Sequence, residues 1–151
     1  MGFRFHMSRP ATLEEKVYAA GLFDGEGCID VVVRSTHNRA AAVSVSHCPR
    51  AHINITNKEV LLWLKSIWGG TISDRKNLPA HWKPAWCWMM GGENAIRFIR
   101  DIEPWLIIKH SQAKVVLKFQ TRVSRRMPLT QHELQQRQQI KEQLHILKAT
   151  A

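Results

Sequence analysis

Two acids, Asp24 and Glu26, stand one residue apart among Gly21, Gly25 and Gly27 in the stretch AAGLFDGEGCIDV, residues 19–31. Glycine lets another backbone or a ligand come close. A carboxylate in such a place ties down backbone donors, holds a cation, or sits solvated in a turn. A helix followed by a strand needs one turn glycine and no acid pressed against it, so something further is being placed here. The surrounding elements and the partner implied by the rest of the chain decide between these uses.

The partner is read from charge. Lys and Arg number 22 against 12 Asp and Glu, a formal charge of +10, with eight histidines besides. Such a balance favours a polyanion, and nucleic acid leads because the basic residues are spread along the chain rather than gathered in one tail. An anionic membrane surface is less favoured, and no apolar run reaches the length of a transmembrane helix. Cys28, Cys48 and Cys87 are odd in number and form no CxxC pair, which argues against a zinc site and a disulfide scaffold and for a reducing, intracellular setting, bacterial cytoplasm or organelle interior. The start, MGFRFHMSRPATL, has no signal-peptide core and is poor in the serines of a transit peptide.

A chain of 151 residues supports one domain with a real core. We divide it into an N-terminal extension, 1–11, a domain over 12–126, and a helical extension of that domain over 127–151. Thr12 and Glu15 have capping-box spacing, which predicts a helix from Leu13 to Phe23, stopped by the glycines. Segments 28–34, 42–48 and 52–56 alternate or are β-branched and read as strands, with STHNRAA as a turn. NKEVLLWLKSIW, residues 57–68, has helical spacing closed by Gly69 and Gly70. Strands over 71–75 and 85–90 flank the loop KNLPAHWKP, ENAIRFIRDI forms a short helix, and the apolar spacing from Ile108 to Val123 predicts a long helix over 106–125. Lys114, Lys118 and Arg122 line its other side as a solvated face. A second capping box, TQHE at 130–133, opens a final helix over 131–148.

Residues 19–27, AAGLFDGEG, resemble the LAGLIDADG motif of homing endonucleases. Ala19 replaces the first leucine, Phe23 the isoleucine, Gly25 the alanine and Glu26 the second aspartate, a position where the family accepts either acid. The stretch from Ile55 to Gly70 and IIKHSQA at 107–113 extend the resemblance over most of residues 12–123. It implies an α/β (α+β) domain of αββαββα order, with a saddle-shaped antiparallel sheet and C-terminal helices. A single motif copy implies a homodimer whose motif helices meet at Ala20 and Gly21; packing inside one domain is the alternative for these small residues.

The implied activity is hydrolysis of double-stranded DNA at a long, near-palindromic site with Mg²⁺ or Mn²⁺, by a protein of the intron-encoded type. Metal ions held by carboxylates activate water and neutralise charge at the phosphorus centre. By the same resemblance Glu26 holds the metal, the carbonyl of Gly25 assists, and Asp24 ranks second as a ligand because the family more often uses it to tie the helix end. Asn57 orders water near the metals or caps the next helix. Lys109 stabilises developing charge. Relatives often carry a further lysine where this chain has Ser111, so Lys114 stays open as an alternative.

Two-stranded ribbons lie in the major groove and offer alternate side chains to base edges. The candidates are Arg34, His37, Asn38, Arg39, Ser44, Ser46, Arg50, His52, Asn54, Arg75, Lys76, His81 and Lys83. Asp30 either accepts from a cytosine amino group or is held back by a nearby arginine. Most tryptophans suit the core, and Trp82 in the polar loop is the exception. Two rivals remain: a non-cleaving RNA maturase or DNA-binding regulator on the same scaffold, and a basic protein with no sequence preference.

Overall fold

The computed structural model describes residues 9–37, 43–119 and 129–150, with the side chains of 36, 37, 43 and 44 also outside the description. The elements are α1 (Leu13–Glu26), β1 (Gly27–His37), β2 (Val43–Ile55), α2 (Lys58–Trp68), β3 (Thr71–Asp74), β4 (Trp86–Gly91), α3 (Glu93–Ile102), α4 (His110–Val116) and α5 (Gln131–Thr150), with a 3₁₀ turn over Glu103–Trp105. The four strands form one antiparallel sheet in the order β1-β2-β4-β3. This is the mixed α/β order expected.

Period-two alternation gives the sheet two faces. Ile29, Val31, Ala51, Ile53, Trp88 and Met90 are buried on one, under the helices. Their alternates, among them Asp30, Arg50, His52, Asn54, Cys87 and Met89, are only half-buried on the other. Phe98 of α3 is the hub of the buried side. Its ring meets Trp88, Trp68 and Phe23 edge to face, at centroid distances of 5.0, 5.3 and 5.5 Å, the geometry that aromatic quadrupoles favour. The indole N–H of Trp88 donates to the Gly69 carbonyl at 2.9 Å, so the buried polar end is satisfied.

Four expectations are corrected. Helix α1 does not stop at Phe23; it passes through Gly21 and Gly25 to Glu26, so Glu26 is the last helical residue. Strand β2 is continuous through Pro49 where two strands were expected. The Pro49 carbonyl accepts from Gly92 N–H at 2.9 Å. Strand N–H and C=O of one residue point the same way, so the donor that proline lacks would face the end of β4, and the β1 ladder loses nothing. Part of the expected turn STHNRAA, residues 35–37, belongs to β1. Of the helix expected over 106–125, the described part, 106–119, is helical over His110–Val116 and turns after it; residues 120–125, Arg122 with them, lie outside the described residues.

Both capping boxes form. Thr12 and Glu15 exchange bonds at 3.3 and 2.9 Å, and Thr130 and Glu133 at 3.2 and 2.7 Å. Arg9 holds the Glu15 carboxyl down at about 2, by side-chain hydrogen bonding. Helix α5 buries Ile140 and Leu144 and packs on α4 and β1 of its own chain.

Gly70 has φ +88, and a Cβ there would lie 2.8 Å from Trp88 Nε1 and 2.9 Å from the Met89 carbonyl. Gly70→Ala is expected to lower stability by about 1–3 kcal/mol or more through left-handed strain plus this contact. Urea unfolding of the variant against wild type checks it, read as a shift in midpoint at unchanged slope.

Candidate nuclease site and outer face of the sheet

The two acids of the opening motif separate into different roles. Asp24 is buried. Its Oδ2 accepts from the backbone N–H of Ile107 at 2.7 Å and of Ile108 at 3.1 Å, and its Oδ1 accepts from Lys109 N–H at 2.9 Å. With both oxygens turned to backbone donors, Asp24 ties the end of α1 to residues 107–109. The tie also explains the shortened α4: it holds 107–109 outside a helix. The Lys109 ammonium donates to the Asp24 carbonyl, placing a cation at the C-terminal end of α1 where the helix dipole favours one.

Glu26 is exposed and, among the described residues, makes no hydrogen bond or ion pair. It opens onto a groove lined by Asn54, Thr56, Arg75, Trp82 and Lys83. Gly25 beside it has open space where a Cβ would stand. Gly27 has none: a Cβ would come within 2.3–2.6 Å of the Phe23 ring, so glycine lets β1 leave the helix directly over that ring. Asn57 is the N-cap of α2, its side-chain oxygen accepting from Val60 N–H at 3.2 Å. Lys114 is exposed.

Ala20 and Gly21 part company. Ala20 has no accessible surface within the single chain, which corrects its placement at a dimer contact; ordinary packing inside the domain accounts for it. Gly21 is exposed with open space around it. Leu13 and Val17, two turns and one turn earlier, are 57 % and 46 % exposed.

On the outer, half-buried face of the sheet, Arg34 and Ser46 are exposed register partners. Arg75, Lys76, His81 and Lys83 are exposed in and around the loop before β4, and Trp82 beside them is 58 % exposed. His37 and Ser44 lie in strands with side chains outside the description, and Asn38 and Arg39 lie outside the described residues. Arg50 does hold Asp30 back: Nε to Oδ1 is 2.9 Å and Nη2 to Oδ2 is 2.5 Å, a bidentate pair. Charge pairing of this kind raises the Arg50 pKa and keeps an acid tolerable on a basic face.

Sequence reasoning missed Cys28. It is the register partner of His52, and Lys148 of α5 reaches its sulfur at 3.3 Å. The hydrogen bond with His52 lowers the Cys28 pKa, partial burial opposes this, and the Lys148 charge adds to the lowering. Burial pushes the Cys87 thiol the other way. Nothing in local spacing announces the cluster; only the strand register does.

No protein-family model matches the chain, and no curated protein matches its sequence. Solved structures do match in fold. The homing endonuclease I-CvuI, in complex with the I-CreI target, is 20 % identical with a TM-score of 0.69 over 89 % of this chain and 82 % of that one. The archaeal intron-encoded I-Vdi141I, complexed with DNA, is 18 % identical at 0.67 over 89 % and 84 %. I-TnaI is 22 % identical at 0.60 over 89 % and 94 %. The chain has the fold of the LAGLIDADG homing endonucleases, a fold of DNA-binding nucleases. It shares that fold with single-motif proteins.

A thiol whose anion is favoured reacts at lower pH. With Cys48 and Cys87 replaced by serine, iodoacetamide labelling of Cys28 is expected to reach half-maximal rate below the ordinary thiol pKa. His52→Ala should move that midpoint upward, and labelling rate against pH checks both.

Proposed function

We propose that the chain is a divalent-metal-dependent endonuclease that cuts double-stranded DNA at a long, roughly two-fold site as a homodimer. The observation that carries the reading is Glu26: a carboxylate with no partner among the described residues, at a helix end, in a groove whose other charges are Arg75 and Lys83. Beside a polyanion such an acid is repelled, and a cation between carboxylate and phosphate removes the conflict.

The donors fit the ion. Mg²⁺ takes one or two carboxylates and completes its shell with water and phosphate oxygen, so Glu26, helped by the Gly25 carbonyl, is a sufficient protein share in each subunit. When bound, the ion supplies an activated water and charge neutralisation at the phosphate. The chain's own residues do the rest. Lys109 carries positive charge at the end of α1, and Arg75 and Lys83 draw the phosphate backbone toward the groove. Arg34, Ser46, His52 and Asn54 present polar groups toward base edges. Asn57 is the cap of α2, and its side chain is exposed for a second role in ordering water.

The dimer is supported by Leu13, Val17, Gly21 and Gly25, spaced at four residues along one side of α1. Ile107 and Ile108, tied to the end of the same helix, are 86 % and 66 % exposed. An apolar stripe of this kind calls for a covering partner, and glycines in it permit close approach of a second helix.

Glu26→Gln removes the ligand charge at constant shape. Cleavage of a randomised duplex library in Mg²⁺ is expected to yield ends sharing a two-fold site, with the variant slower by on the order of 100-fold or more and binding unimpaired. Enrichment of a site without metal-dependent ends would favour a regulator or maturase. Binding without sequence preference, falling steeply with salt, would leave a basic nucleic-acid binder.

A further inference from the structure

The DNA-facing side of the sheet carries a second set of donors unlike those at Glu26. Register places Cys28 opposite His52, and His52 opposite Met89, so that thiol, imidazole and thioether form one row across β1, β2 and β4. Asp30 follows Cys28 by two residues and shares its face. The Cys28 sulfur, a His52 ring nitrogen and an Asp30 carboxylate oxygen all lie within 4.8 Å of one another. All three residues are half-buried, so the cluster is neither solvated surface nor closed core.

One member has unfinished chemistry, and the other two are held by side chains that can leave. His52 Nδ1 is buried and has no hydrogen-bond partner among the described residues, a cost that native structures seldom leave unexplained. The Cys28 sulfur is met by the Lys148 ammonium and the Asp30 carboxylate by the Arg50 guanidinium, so two cations already stand around one small volume. Both are long and flexible side chains, able to withdraw to solvent.

From this the geometry points to a binding site for a soft divalent transition-metal ion of the Zn²⁺ class, held by Cys28, His52 and Asp30. Thiolate and imidazole select Zn²⁺ over Mg²⁺, which keeps the site distinct from an all-oxygen one at Glu26. Tetrahedral Zn²⁺ takes sulfur at about 2.3 Å and nitrogen or oxygen at about 2.0–2.2 Å, so three donors close in by roughly an ångström and leave a fourth position open. Met89 sits at that edge, its sulfur 4.0 Å from Arg50 Nη1. Binding releases the thiol proton to solvent, and the ion takes the places of Lys148 at sulfur and Arg50 at Asp30. Arg50, freed from its acid, is then available to DNA. The cysteine spacing argued against zinc because zinc motifs are read along the chain, whereas these donors meet across strands.

Cobalt(II) serves as the probe, titrated into the full chain without DNA. One equivalent is expected to give the near-ultraviolet sulfur-to-cobalt band with tetrahedral visible bands, bleached on adding Zn²⁺. Cys28→Ser abolishes the ultraviolet band, and His52→Ala weakens binding by about tenfold or more. Cys48→Ser, Cys87→Ser and Glu26→Gln leave it unchanged. In the unmutated protein, equimolar Zn²⁺ protects Cys28 from iodoacetamide, a readout that does not depend on any variant folding. Absence of the band with unprotected Cys28, or an equally strong band in folded Cys28→Ser, overturns the site.

Discussion

The Asp24 carboxylate is the constraint on which the site depends. Three backbone N–H groups, from residues 107, 108 and 109, converge on it from a segment more than eighty residues away in sequence. Hydrogen bonds to a charged acceptor contribute about 1.5–3 kcal/mol each, set against the cost of burying the carboxylate. The result fastens the end of α1 to the strand of chain that carries Lys109. It lets a helix containing two glycines run on to Glu26, and it interrupts what would otherwise be a longer helix after residue 105. The two acids of the motif thus divide the work: one builds the platform, and the other stands exposed at its edge.

Around that platform the sheet keeps chemistry and packing apart by strand alternation. Ile29, Ile53 and Trp88 face the helices and the Phe98 hub, while Cys28, Asp30, Arg50, His52 and Asn54 face outward. A one-residue slip of β1 or β2 would exchange the two sets, so the aromatic core holds the register of the polar face. Arg50 and Asp30 show how a basic face tolerates an acid, by bidentate pairing across neighbouring strands.

Much of the fold was legible locally. Both capping boxes mark helix starts correctly, and β-branched alternation marks the strands, because these signals act over a few residues. The motif LFDGEG was legible through resemblance, and with it the fold. Residues 106–109 misled because the apolar spacing they open is helical, while the competing interaction, Asp24 with the 107–109 backbone, is remote in sequence. Gly25 misled in the same way: its helix penalty of about 1 kcal/mol is small beside tertiary ties. Ala20 read as a contact surface because smallness suits both a helix partner and a tight core, and only burial separates them. The Cys28, His52 and Asp30 cluster was illegible because register, not spacing, assembles it.

Native-state hydrogen exchange of the Ile107, Ile108 and Lys109 amides tests the central tie most directly. These amides belong to a loop whose two isoleucine side chains are exposed, so ordinary loop behaviour is fast exchange. The account predicts protection comparable to the amides of β2, lost in Asp24→Ala while β2 stays protected. Fast exchange at all three positions in the unmutated protein would contradict it.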